Sequence, residues 1–378
     1  MSKIHVQIAP PDPAVAGPWA SLIERAAPNV FMNPAVLTAA AAAFTQPLHV
    51  LTAWRRDSGE PDCLIGLWAL QERRIAAMLP PVLTAPPFDY AFVSNPVIDR
   101  DEIDAVTAAF LDAIAAARTL PNVLRLRYLD GSEETGLALE RALAARQARV
   151  LKLSDRERPF AWKDRGVKRS GSTRKKLRQD FNRLSSLGGA DVVNNRDPDE
   201  VCADFETYLA LEAASWKGAE GTALLSHKAD AAFARAMISA LAGERNASVA
   251  LLRVAGRPVA AQVLLYCGAT AYTWKTAFDA EFAKFSPGVL LVDKATEELF
   301  GAGAIEAIES CSPEGGFMSQ MWDGRRSTVG LLADLGKRES LNFILTAFGE
   351  RSYQQIRGWR DRLLASRTGK SRTAASAR

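Results

Sequence analysis

The chain has 378 residues, of which 48% are hydrophobic and 24% charged, and its formal net charge at pH 7 is +4. This composition excludes disordered and collagen-like proteins, and the length predicts two or three domains. No apolar run reaches the roughly 18 residues that cross a bilayer, and the start of the chain lacks the pattern of a signal peptide. We therefore expect a cytoplasmic protein without a membrane span.

The first half of the chain predicts strands followed by helix, strand, helix and strand. From Leu48, the runs "LHVLTAWRR" and "CLIGLWALQE" are typical of paired strands joined by the turn-rich "DSGEPD". A helix follows over "RDEIDAVTAAFLDAIAAAR", where Ile103, Val106, Phe110 and Ile114 recur at helical spacing. A strand "NVLRLRYL", a helix "EETGLALERALAARQ" and a strand "ARVLKL" complete this half.

A basic segment follows the first half. Leu177, Phe181 and Leu184 share one helical face, and basic side chains cover much of the remaining surface. We interpret the segment first as a solvated face and second as a clamp for an anionic ligand. Nine basic residues lie here against two acidic ones, Asp164 and Asp180: Lys163, Arg165, Lys168, Arg169, Arg174, Lys175, Lys176, Arg178 and Arg183.

The second half repeats the plan of the first. Helices around 199–217 and 229–242 precede three β runs, "SVALLRV", "PVAAQVLLYC" and "AYTWKTAF", and a helix and a strand "AIEAIES" follow. A repeated order of this kind predicts a duplicated fold with its boundary near 154–170. The stretch "ESLNFILTAFGERSYQQIRGWRDRLLASR" predicts a helix packed on the second half, and 367–378 predict a disordered basic tail.

The stretch "KFSPGVLL" predicts a helix start directly after a strand. Ser286 suits the N-cap, Pro287 suits the first helical position, and Gly288 has no Cβ to keep a ligand away from the backbone. Free N–H groups at a helix start, together with the helix dipole, favour a phosphate. We therefore predict a phosphate seat at Ser286, Pro287, Gly288, Val289 and Leu290, with an ordinary capped helix as the alternative.

The four cysteines and three histidines predict no metal site. No two cysteines form a CxxC pair, so neither a zinc site nor a disulfide framework is indicated, and isolated thiols fit a reducing compartment. These residues lie far apart in the sequence, at Cys63, Cys202, Cys267, Cys311, His5, His49 and His227.

Residues 155–335 resemble GNAT-type acetyltransferases related to the cellulose-biosynthesis protein CelD, and the two-half plan is similar to Fem peptidyltransferases. The resemblance lies in "STRKKLRQDFNRLSSLGGADV", "LEAASWKGAEGTAL", "GRPVAAQVLLYCGATAYTWKTAFDAEFAKFSPGVLL" and "ESCSPEGGFMSQMWDGRR". It implies an α/β fold of two tandem GNAT-like domains, each a mixed, mainly antiparallel sheet flanked by helices. We place a non-catalytic domain at 1–158 and the acyltransferase domain at 159–366.

The resemblance implies transfer of an acyl group, with acetyl as the first choice, from acyl-CoA to an amine on a small molecule or a sugar or envelope precursor. The sequence departs from ordinary GNAT enzymes in lacking their Q/RxxGxG/A loop, and "VAAQVLLYC" carries Gln262 in place of a base. One alternative is a non-catalytic module of polysaccharide or envelope biosynthesis. The other is a Fem-like ligase that uses aminoacyl-tRNA, although nucleic acid is our last choice for the basic segment.

Glu212 is the first candidate for the general base. It lies on an apolar helical stripe with Phe205, Tyr208 and Trp216, and burial there is expected to raise its pKa toward the working range of a base. The alternative is a structural ion pair with the nearby Lys217.

The end of the third β run supplies further candidates. Strand alternation places Lys275 and Tyr272 on opposite faces. We expect Lys275 to point into the cleft, with a solvated strand lysine as the favoured alternative, and Tyr272 to act as an acid toward the leaving thiolate. Asp279 is a further catalytic candidate, with an Asx-turn as its structural alternative. Expected substrate contacts are Trp216, Lys217 and Trp322, with core packing as the alternative for the two aromatic residues.

Overall fold

In the computed structural model, the described residues are 3–56, 62–85, 88–168, 171–312, 315–336 and 340–355. The first half contains strands β1 (Lys3–Ala9), β2 (Leu48–Arg56), β3 (Cys63–Arg73), β4 (Val82–Ala85), β5 (Val97–Ile98), β6 (Val123–Asp130) and β7 (Arg149–Trp162). Its helices are α1 (Ala16–Ile23), α2 (Pro34–Ala43), α3 (Ile103–Ala116) and α4 (Glu134–Ala145).

The second half contains strands β8 (Ala190–Asn195), β9 (Ala247–Val254), β10 (Arg257–Cys267), β11 (Thr270–Phe278), β12 (Ala307–Glu309) and β13 (Arg325–Asp334). Its helices are α5 (Ser172–Ser185), α6 (Pro198–Ala214), α7 (Trp216–Ala219), α8 (Lys228–Gly243), α9 (Pro287–Gly301), α10 (Met318–Met321) and α11, which spans 341–355 within the described residues. Short 3₁₀ segments are Pro13–Val15, Val30–Met32, Arg100–Glu102, Leu224–Ser226 and Ala280–Phe285.

One mixed sheet repeats the same strand order in both halves. The order is β1-β2-β3-β4-β6-β13-β7-β12-β11-β10-β9-β8, with β5 beside β3. In each half an antiparallel meander ends in a parallel pair, β4 with β6 and β11 with β12. Helix α3 connects the first pair and α9 connects the second. The predicted duplicated α/β plan is therefore confirmed.

Each half of the sheet is completed by a strand from the other half of the chain. β13 lies between β6 and β7 and runs antiparallel to both. The last three residues of β7, Phe160 to Trp162, pair instead with β12. The two halves thus share their sheet hydrogen bonds, and the proposed division at 158/159 stays a prediction.

Helix α11 packs on the first half, so the predicted packing on the second half is wrong. Its Phe343 and Ala347 pack with Val82 and Leu332 in a small apolar cluster. β13 causes this placement, because it carries the chain back beside β6 before α11 begins. The predicted face at Ile356, Trp359 and Leu363, and the tail 367–378, lie outside the described residues.

Aromatic side chains join the two halves in one core. The rings of Phe31 and Tyr272 meet edge to face with centroids 5.8 Å apart, and Phe88 packs on Phe233 at 5.0 Å. The segment around Tyr90, from the first half, therefore lies directly on the second half. Within the ranges that the structure covers, no helix combines the length and apolarity needed to cross a bilayer.

The role of β13 in the first half can be tested with Leu332→Ala. Leu332 is fully buried, so truncation should lower the free energy of unfolding by about 2–5 kcal/mol. Ser327→Ala, at a half-buried position of β13, should change it by less than about 1 kcal/mol. Denaturant unfolding checks both variants, and an unchanged midpoint for Leu332→Ala contradicts the described packing.

Candidate active site

An open edge of β11 forms the centre of the candidate site. β11 and β12 pair through three residue pairs, from Thr270 with Ala307 to Tyr272 with Glu309. β12 ends there, whereas β11 continues to Phe278. The two strands therefore leave a wedge beside the second part of β11.

A β-bulge lies at the point where the wedge begins. On β10, Leu264 stands opposite Thr273 and Val263 opposite Lys275, so Trp274 is an extra residue on β11. A bulge increases local twist and bends its strand, and it shifts the alternation of side chains by one position. Tyr272 and Lys275 accordingly both contact the first half, and the prediction of opposite faces is wrong.

Helix α9 begins at the end of this wedge with an unusual turn. Ser286 has φ 53° and ψ 53°, and its side chain makes no capping hydrogen bond, so the predicted side-chain cap is wrong. An N-cap normally has extended backbone, which this left-handed residue lacks. The Ser286 carbonyl accepts hydrogen bonds from the N–H groups of Val289 and Leu290 at 3.0 and 3.1 Å.

Gly288 lies inside the turn rather than at an exposed helix end. It is buried, and a Cβ placed there would lie 3.4 Å from Phe278 and 3.5 Å from Thr276, both on β11. Its nearest neighbours therefore come from the second half itself, and the first half does not cover the start of α9 at this residue.

The two duplicated helices differ in charge at their start. α3 and the 3₁₀ turn before it carry Asp99 as a cap and Asp101, Glu102 and Asp104 in their first turns. The first turn of α9 has no acidic residue. Since carboxylates neutralise the positive end of a helix dipole, α9 is the member of the pair suited to an external anion.

Glu212 lies at the centre of a buried cluster. Its Oε1 accepts hydrogen bonds from Tyr208 Oη at 2.6 Å and Lys217 Nζ at 3.1 Å. Its Oε2 accepts one from the backbone N–H of Leu224 at 2.9 Å. Lys275 Nζ completes the cluster 3.9 Å from Oε1. The structural alternative of an ion pair with Lys217 is thus present.

The pKa shifts in this cluster reverse the expected roles. Burial acts to raise the pKa of Glu212, but Lys275 and the hydrogen bonds to the carboxylate outweigh it and hold that pKa below its ordinary value. The expected raised pKa is wrong. For Lys275, burial lowers the pKa to about 8, although the Glu212 carboxylate raises it in opposition. Lys275 is therefore the member that titrates near neutral pH.

Two predicted residues have structural roles instead. Tyr272 is buried and its Oη donates a hydrogen bond to the Pro28 carbonyl at 2.8 Å. Burial also raises the pKa of its hydroxyl well above the ordinary value, so the predicted acid role is wrong. Trp322 is 0% exposed in the second core cluster, and it cannot form a cleft wall.

Asp279 and Trp216 have different surroundings. Asp279 caps the segment Ala280–Phe285, accepting a hydrogen bond from the N–H of Glu281 at 2.9 Å, and it pairs with Arg257. Asp279 therefore forms the Asx-turn that was its structural alternative, because its carboxylate already accepts this hydrogen bond and pairs with Arg257. Trp216 is 60% exposed at the start of α7, next to Lys217 of the cluster, and its substrate contact stays a prediction.

A groove of about 1190 Å³ extends from the first half to the segment after β12. It ends at Cys311 and Ser312, and the neighbouring Ser310 carbonyl accepts a hydrogen bond from Thr273 Oγ1 of β11 at 2.8 Å. Ten of its 26 lining residues are charged. These charged residues are Arg73, Arg74, Asp89, Arg125, Arg127, Asp155, Arg156, Glu157, Arg158 and Glu350.

One segment of the first half connects this groove to the buried cluster. Asp89 and Phe92 line the groove, and Tyr90 between them has its ring 4.9 Å from Lys275 Nζ. Tyr90 Oη donates a hydrogen bond to Asp230 of α8 at 2.5 Å. The groove and Lys275 are therefore separated by a single short segment of chain.

Comparison with known proteins identifies the fold of this site. Residues 171–311 match the family model of the acetyltransferase (GNAT) domain. The second half therefore has the GNAT fold. No curated protein sequence matches the chain.

The whole two-half fold is similar to several solved structures. FemX has a TM-score of 0.59 at 11% identity, with 89% of this chain and 98% of that chain covered. L-PGS from Bacillus licheniformis has 0.52 at 14%, with 89% and 96% covered. The C-terminal domain of a candidate lysylphosphatidylglycerol synthetase from Agrobacterium fabrum has 0.54 at 13%, with 89% and 95% covered. These likenesses show the fold alone.

Sequence reasoning missed several residues around the GNAT domain. Glu309 at the end of β12 is 1% exposed and contacts Arg158 at 3.3 Å and Arg326 at 3.8 Å. The apolar run "AIEAIES" carries two carboxylates, Glu306 and Glu309, and a carboxylate within such a run is a signal that could have found it. Tyr90 and Asp230 gave no such signal, because they meet only when the halves pack.

A metal site is a separate question. Among residues 3–56, 62–85, 88–168, 171–312, 315–336 and 340–355, no group of three or more His, Cys, Asp or Glu side chains is placed to hold a metal ion.

The structural role of Tyr272 can be tested with Tyr272→Phe. The Pro28 carbonyl then loses its donor, so the free energy of unfolding should fall by about 1–3 kcal/mol. Acyl transfer per folded molecule should stay unchanged, and thermal unfolding with a steady-state assay checks both. Ser21→Ala, which removes a hydroxyl at an exposed position of α1, is the control. Loss of turnover at unchanged stability would restore the acid role.

Proposed function

We propose that this protein is an acyl-CoA-dependent N-acyltransferase that moves an acetyl or related acyl group to an amine. One observation carries the proposal: the wedge between β11 and β12 ends at the start of α9, whose first turn lacks acidic residues. The GNAT domain supports an acyltransferase at residues 171–311. Our proposal also includes four points that the family match does not cover: the acyl-CoA donor, the amine acceptor, the cytoplasmic location and the relationship to CelD.

The donor fits the start of α9 and the open edge of β11. In our proposal the turn from Ser286 to Leu290 holds the pyrophosphate through the N–H of Gly288 and the positive end of the α9 dipole, because the N–H groups of Ser286, Val289 and Leu290 donate within the turn. The edge of β11 then offers unpaired backbone groups to the rest of the donor. Acyl-CoA supplies a thioester carbonyl that an amine can attack.

Lys275 is the proposed general base. It follows the bulge on the open part of β11, and burial holds its pKa at about 8. Its neutral amine takes the proton of the attacking amine, directly or through water, while the carbon–sulfur bond breaks and the thiolate leaves. Glu212 then acts as a positioning residue, because its carboxylate holds the ammonium groups of Lys275 and Lys217 in place.

The acceptor enters through the charged groove of the first half in this proposal. Arg74 and Arg156 of its wall have no carboxylate partner among the described residues, whereas Arg125 is paired with Glu350 at 2.6 Å. Guanidinium groups without a carboxylate partner suit an acceptor that carries a carboxylate or phosphate besides its amine. A small amino acid derivative or a sugar precursor of the envelope fits this description.

Two alternative functions predict different binding results. A non-catalytic module of polysaccharide or envelope biosynthesis predicts no acyl-CoA binding. A Fem-like ligase predicts tRNA retention that falls with salt, through exposed basic residues of α5 such as Lys175, Lys176 and Arg178. Arg174 is excluded from that surface, because it pairs with Asp293 and Glu297 of α9.

Donor binding is tested with the pair Val289→Asp and Val289→Asn. Val289 lies in the first turn of α9 and is half-buried. An Asp there stabilises a helix start but repels a phosphate, so acetyl-CoA affinity should fall by roughly tenfold or more while thermal stability is retained. Asn has nearly the same shape without the charge and should bind acetyl-CoA within about threefold of the parent protein.

Isothermal titration calorimetry with acetyl-CoA reads both variants. Equal affinities for Asp and Asn would remove the pyrophosphate seat from α9. Absence of acetyl-CoA binding to the parent protein would favour the non-catalytic module or the tRNA-dependent ligase.

The assignment of the base predicts a pH profile. Turnover should rise through pH of about 8 as Lys275 loses its proton. In Glu212→Gln this limb should move to lower pH, because the carboxylate that raises the pKa of Lys275 is gone. The same change breaks a buried ion pair and should cost about 3–5 kcal/mol of stability. Thiol release from acetyl-CoA with a panel of amines measures the profile.

Controls separate the base from a general loss of structure. Lys275→Arg keeps a permanent charge and should lower turnover by roughly 10²-fold or more. Glu206→Gln removes an exposed carboxylate from the same helix, α6, and should leave the profile unchanged. A profile that is identical in Glu212→Gln and the parent protein would clear Lys275 of the role.

A further inference from the structure

Helix α11 exposes an apolar stripe on its outer face. Phe343 and Ala347 point to the first half and are buried, which satisfies the ordinary packing of a surface helix. The opposite side is not polar: Leu341 and Phe348 are 69% and 72% exposed, and Ile344 and Leu345 lie between them. Their spacing of three, four and seven residues places them on one face.

The surface beside α11 adds to this patch. Leu79 packs against Gly349 of the helix, with its Cδ1 3.5 Å from the position of a Cβ there. In the same loop Met78 is 93% exposed. A cluster of exposed apolar side chains of this kind indicates a surface that binds another protein or a membrane.

The positive charge of the chain is concentrated after residue 355. Residues 356–378 contain seven Lys and Arg residues and one Asp, a formal charge of +6. The whole chain carries +4, so residues 1–355 carry −2 by difference. An apolar stripe followed by a strongly basic segment is the combination that binds anionic membrane surfaces.

We propose that α11 docks on a bilayer surface that contains anionic lipids. The stripe Leu341, Ile344, Leu345 and Phe348 enters the boundary between headgroups and acyl chains, and the formal charge of +6 on residues 356–378 favours an anionic surface over a neutral one. A second copy of the chain is the weaker occupant, because four side chains are few for the roughly 800 Å² per partner of a stable interface. Apposed helices would also bring two +6 segments together.

Docking would bring the acceptor groove to the membrane. Tyr353 and Gln354 of α11 line that groove, so its mouth adjoins the helix that binds lipid. This consequence rests on the proposed function, whereas the docking itself does not. It points to an acceptor that is made or anchored at the membrane surface.

Vesicle co-sedimentation of the full chain tests the docking. The probes are vesicles of phosphatidylcholine with phosphatidylglycerol and vesicles of phosphatidylcholine alone. The parent protein should sediment with the anionic vesicles at least about tenfold better, and high salt should reverse this preference. Leu341→Gln with Phe348→Gln should weaken anionic binding by roughly tenfold or more. The matched control, Leu137→Gln with Leu187→Gln, changes two exposed leucines elsewhere and should bind as the parent protein does.

The outcomes are distinct. Loss of binding in the stripe variant alone, with acetyl-CoA affinity and thermal stability retained, supports the docking whatever the result for acyl transfer. No sedimentation of the parent protein, or equal sedimentation of both double variants, overturns it. A concentration-dependent dimer that the stripe variant abolishes, without lipid binding, would assign the surface to a second copy.

Discussion

Strand β7 is the constraint on which the arrangement of this protein depends. It pairs with β13 as far as Pro159, and its last three residues pair with β12. A single continuous strand therefore fixes the two halves relative to each other. Because of this connection, the groove of the first half ends beside the wedge of the second, and Arg158 reaches Glu309 across the junction. A cleft shared by both halves follows from hydrogen bonds of the sheet rather than from loosely docked domains.

The duplication places the same topology in two different electrostatic settings. The helix start of the first half is neutralised by its own carboxylates, Asp99, Asp101 and Glu102, and Asp99 is further paired with Arg25 at 2.7 Å. In addition, Ser94 and Asn95 hydrogen-bond to the backbone of β6, at Tyr128 and Asp130. The corresponding edge of β11 meets no strand beyond Tyr272 among the described residues. This contrast supports chemistry in the second half and acceptor binding in the first.

The buried cluster shows why a carboxylate on an apolar stripe is an ambiguous signal. Burial alone would make Glu212 a weaker acid, but three donors and the Lys275 ammonium converge on it and favour its charged form. Burial instead lowers the pKa of Lys275, because the Glu212 carboxylate is 3.9 Å away and accepts no direct hydrogen bond from it. Lys275 is thus the residue whose perturbed pKa lies near neutrality, although the sequence analysis placed Glu212 ahead of it as a catalytic candidate.

The sequence determined the elements whose signals are local. Hydrophobic periodicity predicted β2, β3, α3, α4 and the meander β9 to β11, and "FSPG" predicted the start of α9, because these patterns are read within a few residues. Repetition of the plan predicted two domains of one fold, although β1, β4, β5, β8 and β13 were missed. The tertiary structure alone decided the bulge at Trp274, the pairing of β13 with β6, and the contact of Tyr272 with Pro28. A one-residue shift between strands, or a partner 244 residues away, leaves no trace in local periodicity, because its energy arises only when distant segments pack.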